Sequence, residues 1–194
     1  MRALDLFCGA GGASEGLRRV GFDVTGVDIR PQPEYQGGTF VQADALEYPL
    51  DGFDLIWAEG SAYSIGFENA LRRWRPLLRP AGCLVVTELV WFVAEPAERA
   101  RAFFAGEYPD MRDEATRIDQ ARSARYELLG SFRLPADDWH AYYAGLEAPL
   151  RDAISRRGEL EIYAATRLER TIYEACGGDY GYVCLVLEVV AEPT

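Results

Sequence analysis

The sequence contains no lysine, because all 20 of its positively charged residues are arginines. This absence excludes a Schiff-base lysine and the lysine of a phosphate-binding P-loop. The chain has one histidine and four cysteines without C-x-x-C spacing. Without C-x-x-C spacing and with a single histidine, the sequence contains no zinc-binding pattern, so we predict no metal site and interpret the cysteines as reduced structural thiols.

Long apolar runs and excess positive charge are also absent. The longest apolar stretch, Ala81–Ala94, includes Glu88 and is too short to span a bilayer, and the first residues do not resemble a signal peptide. Acidic residues number 31, which leaves a net charge of −11. Such a charge disfavours nucleic-acid and anionic-membrane partners. We therefore expect a cytoplasmic protein.

The chain does contain an alternation of short β-rich runs and helical periods. Its 194 residues suit a single domain, 1–194. The alternation predicts βαβ units around a parallel sheet. A helix with Phe67, Leu71, Trp74 and Leu78 on one face is predicted after the fourth strand. The seven predicted strands cover residues 3–7, 23–28, 39–43, 53–58, 83–90, 126–134 and 180–190.

A glycine-rich turn follows the first predicted strand. Gly9 and Gly11 fit a G-x-G-x-x-G dinucleotide fingerprint, but Ser14 stands at the third glycine position, which weakens a nicotinamide interpretation. Asp28 ends the second strand and Asp44 follows the third, where carboxylates can accept hydrogen bonds from an adenosine. Each feature alone also fits a tight turn or a turn-starting acid. Together, their order and spacing favour an adenosine ligand at one edge of the sheet.

The first fifty residues contain the motif LDLFCGAGGASEGL at residues 4–17, with Gly21-Phe22 and Gly26–Ile29 after it. This segment closely resembles the cofactor-binding start of DNA cytosine-5 methyltransferases. The resemblance implies S-adenosylmethionine as the cofactor, with Gly9 and Gly11 under its methionine moiety, Asp28 on the ribose and Asp44 at the adenine. The Pro-Cys nucleophile of that family is missing, since no cysteine here follows a proline. We also place in the cofactor site Asp5, Phe7, Cys8, Ala10, Ile29, Ala45 and Glu59.

The rest of the chain carries a second resemblance. Its motifs are Phe53–Gly60, Gly66-Phe67, Trp74–Gly82, Thr87–Phe92, Tyr108-Pro109 and Asp179–Val183. They are similar to small-molecule class I methyltransferases of the ubiquinone and menaquinone biosynthesis type, so the chain looks like a natural or engineered mosaic. The resemblance implies a Rossmann-like α/β class I methyltransferase fold. Its seven-stranded, mostly parallel sheet has an antiparallel last strand and a helical insertion, about residues 135–178, between the last two strands.

Residues after the fourth and fifth strands should line the pocket for the methyl acceptor. Glu59, Tyr63, Glu88 and Trp91 occupy those positions, and the first three are our catalytic candidates. Either glutamate fits the role of a base or an orienting residue, and equally that of a helix cap or an arginine partner. We expect His140 to be solvated rather than catalytic.

Five aromatic residues leave two interpretations open. They fit a box around a flat or cationic acceptor, and they fit ordinary core positions equally well. The five are Tyr63, Trp91, Tyr108, Trp139 and Tyr143.

These observations together predict methyl transfer from S-adenosylmethionine to a small-molecule acceptor. Three alternatives stay open: a DNA cytosine-5 methyltransferase-like protein or fragment, a non-catalytic cofactor-binding module or recombinant scaffold, and a nicotinamide oxidoreductase. The sequence does not determine an oligomeric state.

Overall fold

A computed structural model describes residues 1–49, 52–158 and 161–190, without the side chain of Ile162. The strands are β1 (Arg2–Leu6), β2 (Asp23–Asp28), β3 (Thr39–Gln42), β4 (Phe53–Ala58), β5 (Leu78–Trp91), β6 (Arg112–Asp113), β7 (Tyr126–Arg133) and β8 (Tyr180–Val189). The helices are α1 (Gly12–Arg19), α2 (Ala62–Ile65), α3 (Phe67–Trp74), α4 (Glu98–Glu107), α5 (Glu114–Ser123), α6 (Ala136–Arg157) and α7 (Glu161–Cys176).

The strands form one sheet in the order β3-β2-β1-β4-β5-β8-β7, with β6 paired to β5. Strands β1 to β5 run parallel to one another, and β8 is antiparallel to both β5 and β7. The predicted fold class is therefore confirmed, including the antiparallel last strand. The chain order reverses between β1 and β4, and open α/β sheets bind ligands at the carboxyl ends of strands beside such a reversal.

The central strands are buried because helices cover the sheet. Leu4, Ile56 and Leu84, one from each of β1, β4 and β5, have no exposed surface. Strands enclosed on both faces read as nearly continuous apolar runs, which is why these three were recognisable in the sequence.

Two predicted boundaries around β5 are wrong. The strand begins at Leu78 rather than at residue 83, so Leu78 does not continue the face of α3. The helix ends at Trp74, and a 3-10 turn, Arg75–Leu77, carries Pro76, whose ring nitrogen cannot donate the next helical hydrogen bond. The pairing of β4 with β5 then shifts register. Residues 79–82, expected as a break, therefore lie within the strand.

Two further elements differ from the predictions. The sheet has an eighth strand, β6, whose two residues are too few to give a periodic signal. Phe7 falls outside β1, since its φ of 58° turns the chain into the left-handed region directly after Leu6.

The insertion between β7 and β8 consists of α6 and α7, as predicted, with residues 159–160 outside the described part of the chain. Helix α6 continues through Pro149, so this proline does not start a new helix. Within the described residues, no helix has the combination of length and apolarity that crossing a membrane requires.

Candidate active site

The glycine turn, residues 7–11, lies beside the end of β2. The Gly9 amide donates to Oδ2 of Asp28 at 3.1 Å, and the Arg30 amide donates to Oδ1 at 2.9 Å. Parallel pairing of β1 with β2 places the two strand ends side by side. The structure thus brings together Gly9 and Asp28, which are 19 residues apart in the chain.

The two glycines of the turn face different surroundings. A Cβ added to Gly9, at φ 50°, would meet nothing within 4 Å. A Cβ added to Gly11, at φ 89°, would lie 1.9 Å from the carbonyl oxygen of Gln36, in the connector between β2 and β3. The packing against Gln36 is therefore one reason for a glycine at this position, and the predicted place of Gly11 under the methionine moiety stays a prediction. Gly9 borders open space, whereas Gly11 allows the connector to pack against the turn.

Asp5 and Ser14 form a buried pair behind the turn. The Ser14 hydroxyl donates to Oδ2 of Asp5 at 2.5 Å and accepts from the hydroxyl of Tyr35 at 3.0 Å. Burial raises the pKa of Asp5 to about 6. Asp5 is 2% exposed, so it supports the turn from within rather than facing the cleft, contrary to its predicted place in the cofactor site. The pair also explains why a serine stands where a dinucleotide fingerprint has its third glycine.

Three other predicted cofactor residues in this region support the backbone. Burial raises the pKa of the Cys8 thiol to about 12, which keeps it neutral. The Ala10 carbonyl accepts from the Gln36 amide at 2.9 Å. Phe7 packs edge-on against Trp74, with ring centroids 6.4 Å apart.

The ends of β2 and β3 hold the remaining predicted cofactor residues. Ile29 is 63% exposed, which offers an apolar surface beside Asp28. Oδ1 of Asp44 accepts from the Leu46 amide at 2.8 Å. Ala45 is buried and its carbonyl accepts from the Trp74 indole at 3.1 Å. Ala45 therefore belongs to the core and not to the open cleft.

A cavity of about 460 Å³ lies beyond the carboxyl end of β4 and beside Thr87 of β5, and we refer to it as the acceptor cavity. Its floor includes Gly60, whose amide donates to the hydroxyl of Thr87 at 2.6 Å. Helices α6 and α7 contribute to its walls. The lining residues are Glu59, Gly60, Tyr63, Thr87, Leu134, Asp138, Trp139, Tyr142, Glu169 and Tyr182. Two of the three catalytic candidates, Glu59 and Tyr63, are among them.

Glu88, the third catalytic candidate, does not line the acceptor cavity. Successive residues of a strand face opposite sides of the sheet, and Thr87 takes the side of the cavity. Glu88 is fully buried, with its Oε1 3.1 Å from Nη2 of Arg117 and 2.5 Å from the donating hydroxyl of Tyr108. Its alternative role as an arginine partner is the one that the structure shows. Burial raises the pKa of Glu88, and the Arg117 guanidinium opposes that rise.

The five predicted aromatic residues divide between cavity and core. Tyr63 and Trp139 line the acceptor cavity. Trp91, Tyr108 and Tyr143 pack instead with Phe104 and Tyr180 in an apolar cluster beneath it.

The sequence did not point to seven of the ten lining residues, namely Gly60, Thr87, Leu134, Asp138, Tyr142, Glu169 and Tyr182. Tyr142 precedes Tyr143 on α6, and only the rotation of the helix decides which ring faces the cavity. Tyr182 lies in β8 among mostly buried residues, so the sequence pattern does not distinguish it from the core residues of the strand. Glu169, on α7, accepts at Oε1 from the Tyr143 hydroxyl at 3.3 Å, and burial raises its pKa. His140 has a side chain 68% exposed, near Asp137, and does not line the cavity.

Comparisons with known proteins agree with this geometry. Residues 4–86 match the sequence model of a family described as a methyltransferase domain. The match extends across residue 52 and therefore includes parts of both segments whose resemblances differ. The mosaic origin of the chain stays a prediction. No curated protein matches the chain.

Solved structures share the fold over nearly the whole chain. An S-adenosylmethionine-dependent methyltransferase from Thiobacillus denitrificans, in complex with S-adenosyl-L-homocysteine, aligns with a TM-score of 0.79 at 20% identity, over 97% of this chain and 85% of that one. The chain therefore has the class I methyltransferase fold, and residues 4–86 match the methyltransferase-domain family. The methyl donor of this class is S-adenosylmethionine.

Two further class I structures differ in reaction. The [4+2]-cyclase SpnF aligns with a TM-score of 0.75 at 22% identity, over 98% of this chain and 75% of that one. Geranyl diphosphate C-methyltransferase from Streptomyces coelicolor aligns with a TM-score of 0.66 at 14% identity, over 97% of this chain and 71% of that one. At these identities the likeness concerns the fold alone.

Proposed function

We propose that this class I methyltransferase transfers a methyl group from S-adenosylmethionine to a small molecule bound in the acceptor cavity. The observation that carries the proposal is the position of this cavity, which borders Glu59 at the end of β4, the strand next to β1 and its glycine turn. A volume of about 460 Å³ fits a small-molecule ligand. The Streptomyces enzyme, whose described acceptor is geranyl diphosphate, is a precedent for a small acceptor on this fold.

The residues at the ends of β1 and β2 fit an adenosyl ligand. Gly9 leaves open space at its missing Cβ, and the carboxylate of Asp28 lies beside it. In our proposal Asp28 accepts from the ribose hydroxyls, and the exposed Ile29 gives the adenine an apolar contact. When bound, the sulfonium supplies an electrophilic methyl group.

The acceptor cavity then has to align the acceptor and exclude water. Attack on a sulfonium methyl is an in-line displacement, for which alignment is the main contribution a protein makes. Water would solvate the charged reactant more strongly than the transition state and so raise the barrier. Trp139 stacks on Tyr173 and Tyr182, with ring centroids 4.8 and 5.4 Å away, and this stack gives the cavity a rigid apolar wall. Glu59 and Tyr63 are placed to orient the acceptor.

The direct test is to incubate the purified protein with S-adenosylmethionine and a panel of small acceptors. We expect S-adenosylhomocysteine and a methylated product in equal amounts, detected by mass spectrometry. Because SpnF has this fold and is described as a cyclase, cofactor binding alone is not a sufficient readout. Cofactor binding without methylated product from any acceptor class would favour the non-catalytic module.

A variant tests the cofactor side separately. Asp28→Ala removes a charged acceptor, so S-adenosylhomocysteine should bind at least about fivefold more weakly by calorimetry, corresponding to about 1 kcal/mol. Asp23→Ala is the matched control, since this exposed aspartate begins the same strand at its opposite end. Equal affinities of the two variants would remove Asp28 from the site.

A further inference from the structure

The acceptor cavity is lined by acids and aromatic rings. Its charged lining residues are Glu59, Asp138 and Glu169, and none of the described residues that line it is basic. Its rings belong to Tyr63, Trp139, Tyr142 and Tyr182. The cavity is half-open, with Glu59 and Asp138 exposed and Glu169 half-buried. Three carboxylates with no basic side chain among the described lining residues still give a cleft of negative potential.

This bias is specific to the acceptor cavity. A second cavity, of about 760 Å³ beside the end of β5, is lined by three arginines, Arg101, Arg112 and Arg133, together with two acids. The overall charge of −11 therefore does not impose an acidic lining on every cavity. A phosphate or carboxylate would find basic partners in the second cavity and carboxylates in the first.

Glu169 gives the strongest indication of what the acceptor cavity binds. Its side chain is half-buried, and the hydrogen bond it receives comes from the neutral hydroxyl of Tyr143. Glu107 is the charged group that acts on it most, and it is also acidic. A partly buried carboxylate without a cationic neighbour is unfavourable, and a positive ligand in the cavity would compensate it.

The aromatic lining fits the same ligand. Tyrosine and tryptophan rings attract cations through their electron-rich faces. Tyr142 is 53% exposed and belongs to the lining. Trp139 has stacking partners in Tyr173 and Tyr182, so its contribution is to hold the wall in place.

We infer that the acceptor is an aliphatic amine, methylated to an ammonium product that the carboxylates and rings of the acceptor cavity bind. This inference rests on the proposed function. In the transfer, the nitrogen lone pair forms the new C–N bond while the electron pair of the C–S bond goes to sulfur. The positive charge thereby moves from sulfur to nitrogen. Because an aliphatic amine is protonated near neutral pH, its ammonium form first passes one proton to a carboxylate such as Glu169, which frees the lone pair for attack. The product of a tertiary amine is then a quaternary ammonium, and the product of a primary or secondary amine is a protonated amine.

Binding calorimetry on the protein saturated with S-adenosylhomocysteine tests the inference. The probes are choline, a quaternary ammonium, and 3,3-dimethyl-1-butanol, its neutral carbon isostere. Cation–π and carboxylate attraction should make choline bind at least about tenfold more tightly. Equal affinity, preference for the neutral isostere, or no binding of either probe at millimolar concentration would overturn the amine assignment.

A matched pair of variants identifies the carboxylate. Glu169→Gln should weaken choline binding at least about threefold and leave the neutral isostere within about twofold, since only the cation senses the lost charge. Glu174→Gln is the control, because Glu174 lies on the same helix, is exposed and is outside the cavity lining. Equal losses in the two variants would overturn the role of Glu169.

Failure of this inference is distinguishable from failure of the proposed function. If S-adenosylhomocysteine itself does not bind, the proposed function fails and the amine inference fails with it. If it binds, and only phenols or carboxylic acids are methylated in the acceptor panel, the proposed function stands and the amine class is wrong.

Discussion

The proposed cofactor side of the site, around Gly9 and Asp28, consists of backbone turns and short carboxylates. The proposed acceptor side, lined by residues between Glu59 and Tyr182, consists mainly of long side chains on several elements. On the cofactor side, the backbone amide of Gly9 donates a hydrogen bond to the carboxylate of Asp28 at adjacent strand ends. On the acceptor side, Tyr63, Tyr142 and Glu169 meet only because α2, α6 and α7 pack over the sheet.

This difference indicates that substitutions on the two sides should have different effects on the protein. A site formed by backbone hydrogen bonds and glycine conformations tolerates few substitutions, so it is suited to a ligand that does not change. Side chains on covering helices can be exchanged without changing the sheet. We therefore expect variants of the glycine turn to alter folding or cofactor affinity, and variants of the acceptor side to alter acceptor choice or the stability of its supporting core.

Gly11→Ala should have the largest effect. Its Cβ would lie 1.9 Å from a backbone oxygen of Gln36, which cannot move without displacing the connector. We expect urea unfolding to show a loss of more than about 3 kcal/mol. Gly52→Ala is the matched control, with φ 64° and nothing within 4 Å of the added atom. A stable Gly11→Ala variant that no longer binds the cofactor would instead place Gly11 in the open cleft.

Glu88→Ala tests the support of the acceptor side. It removes the buried carboxylate that lies 3.1 Å from Arg117, which has no exposed surface and keeps only the half-exposed Asp110, at 3.4 Å, as an acidic partner. Breaking a buried pair in this way costs about 3–5 kcal/mol. Glu127→Ala, an exposed change on β7, should have little effect on urea unfolding. If the two variants unfold alike, the buried pair does not stabilise this region.

The pH dependence of stability tests the cofactor side. Burial raises the pKa of Asp5 from 3.8 to about 6, so the folded state holds the proton more tightly than the unfolded state. The contribution of this group is complete below pH 3.8 and is lost as the pH rises through about 6. It amounts to about 3 kcal/mol, at about 1.4 kcal/mol for each pKa unit. Between pH 4 and pH 7, the free energy of unfolding measured in urea should fall less in Asp5→Asn than in the parent protein. Identical falls in the two proteins would contradict the raised pKa of Asp5.

Gly9→Ala should have the smallest effect on stability and a specific effect on binding. The left-handed conformation costs alanine about 1 kcal/mol, and the added methyl group otherwise meets open space. In the cleft, the same methyl group should weaken S-adenosylhomocysteine about tenfold by calorimetry. Gly52→Ala again serves as the control. Gly52 has a similar φ, but it lies directly before β4, at the amino end of the strands and away from the proposed site. Unchanged affinity in Gly9→Ala would place the ligand elsewhere.

Much of the fold was predictable because the chain marks its buried strands clearly. Apolar runs bounded by turn residues predicted β1 to β4 and the closing strand. The start of β5 was not predictable, because its register shift around Ala81, at φ 60°, depends on pairing with β4. The two residues of β6 were too few to detect.

The candidate site was predictable only in part, for a related reason. Asp28 and Gly9 were found because each lies at a strand end, and parallel strands align those ends. The contact between Gly11 and Gln36 depends on how an irregular connector folds back. Glu88 was misplaced by one strand position, since Thr87 faces the cavity. Glu169 was not found, because helix α6 separates it in the chain from the strands that end at the cavity, and no motif surrounds it.

The central claim is that the carboxyl ends of β1, β2 and β4 form a site for an adenosyl sulfonium. The most direct measurement is a calorimetric titration of the purified protein with S-adenosylmethionine, S-adenosylhomocysteine and NAD under one set of conditions. We predict that both adenosyl compounds bind at least about tenfold more tightly than NAD. Absence of binding by both at millimolar concentration, or tighter binding of NAD, would contradict the claim.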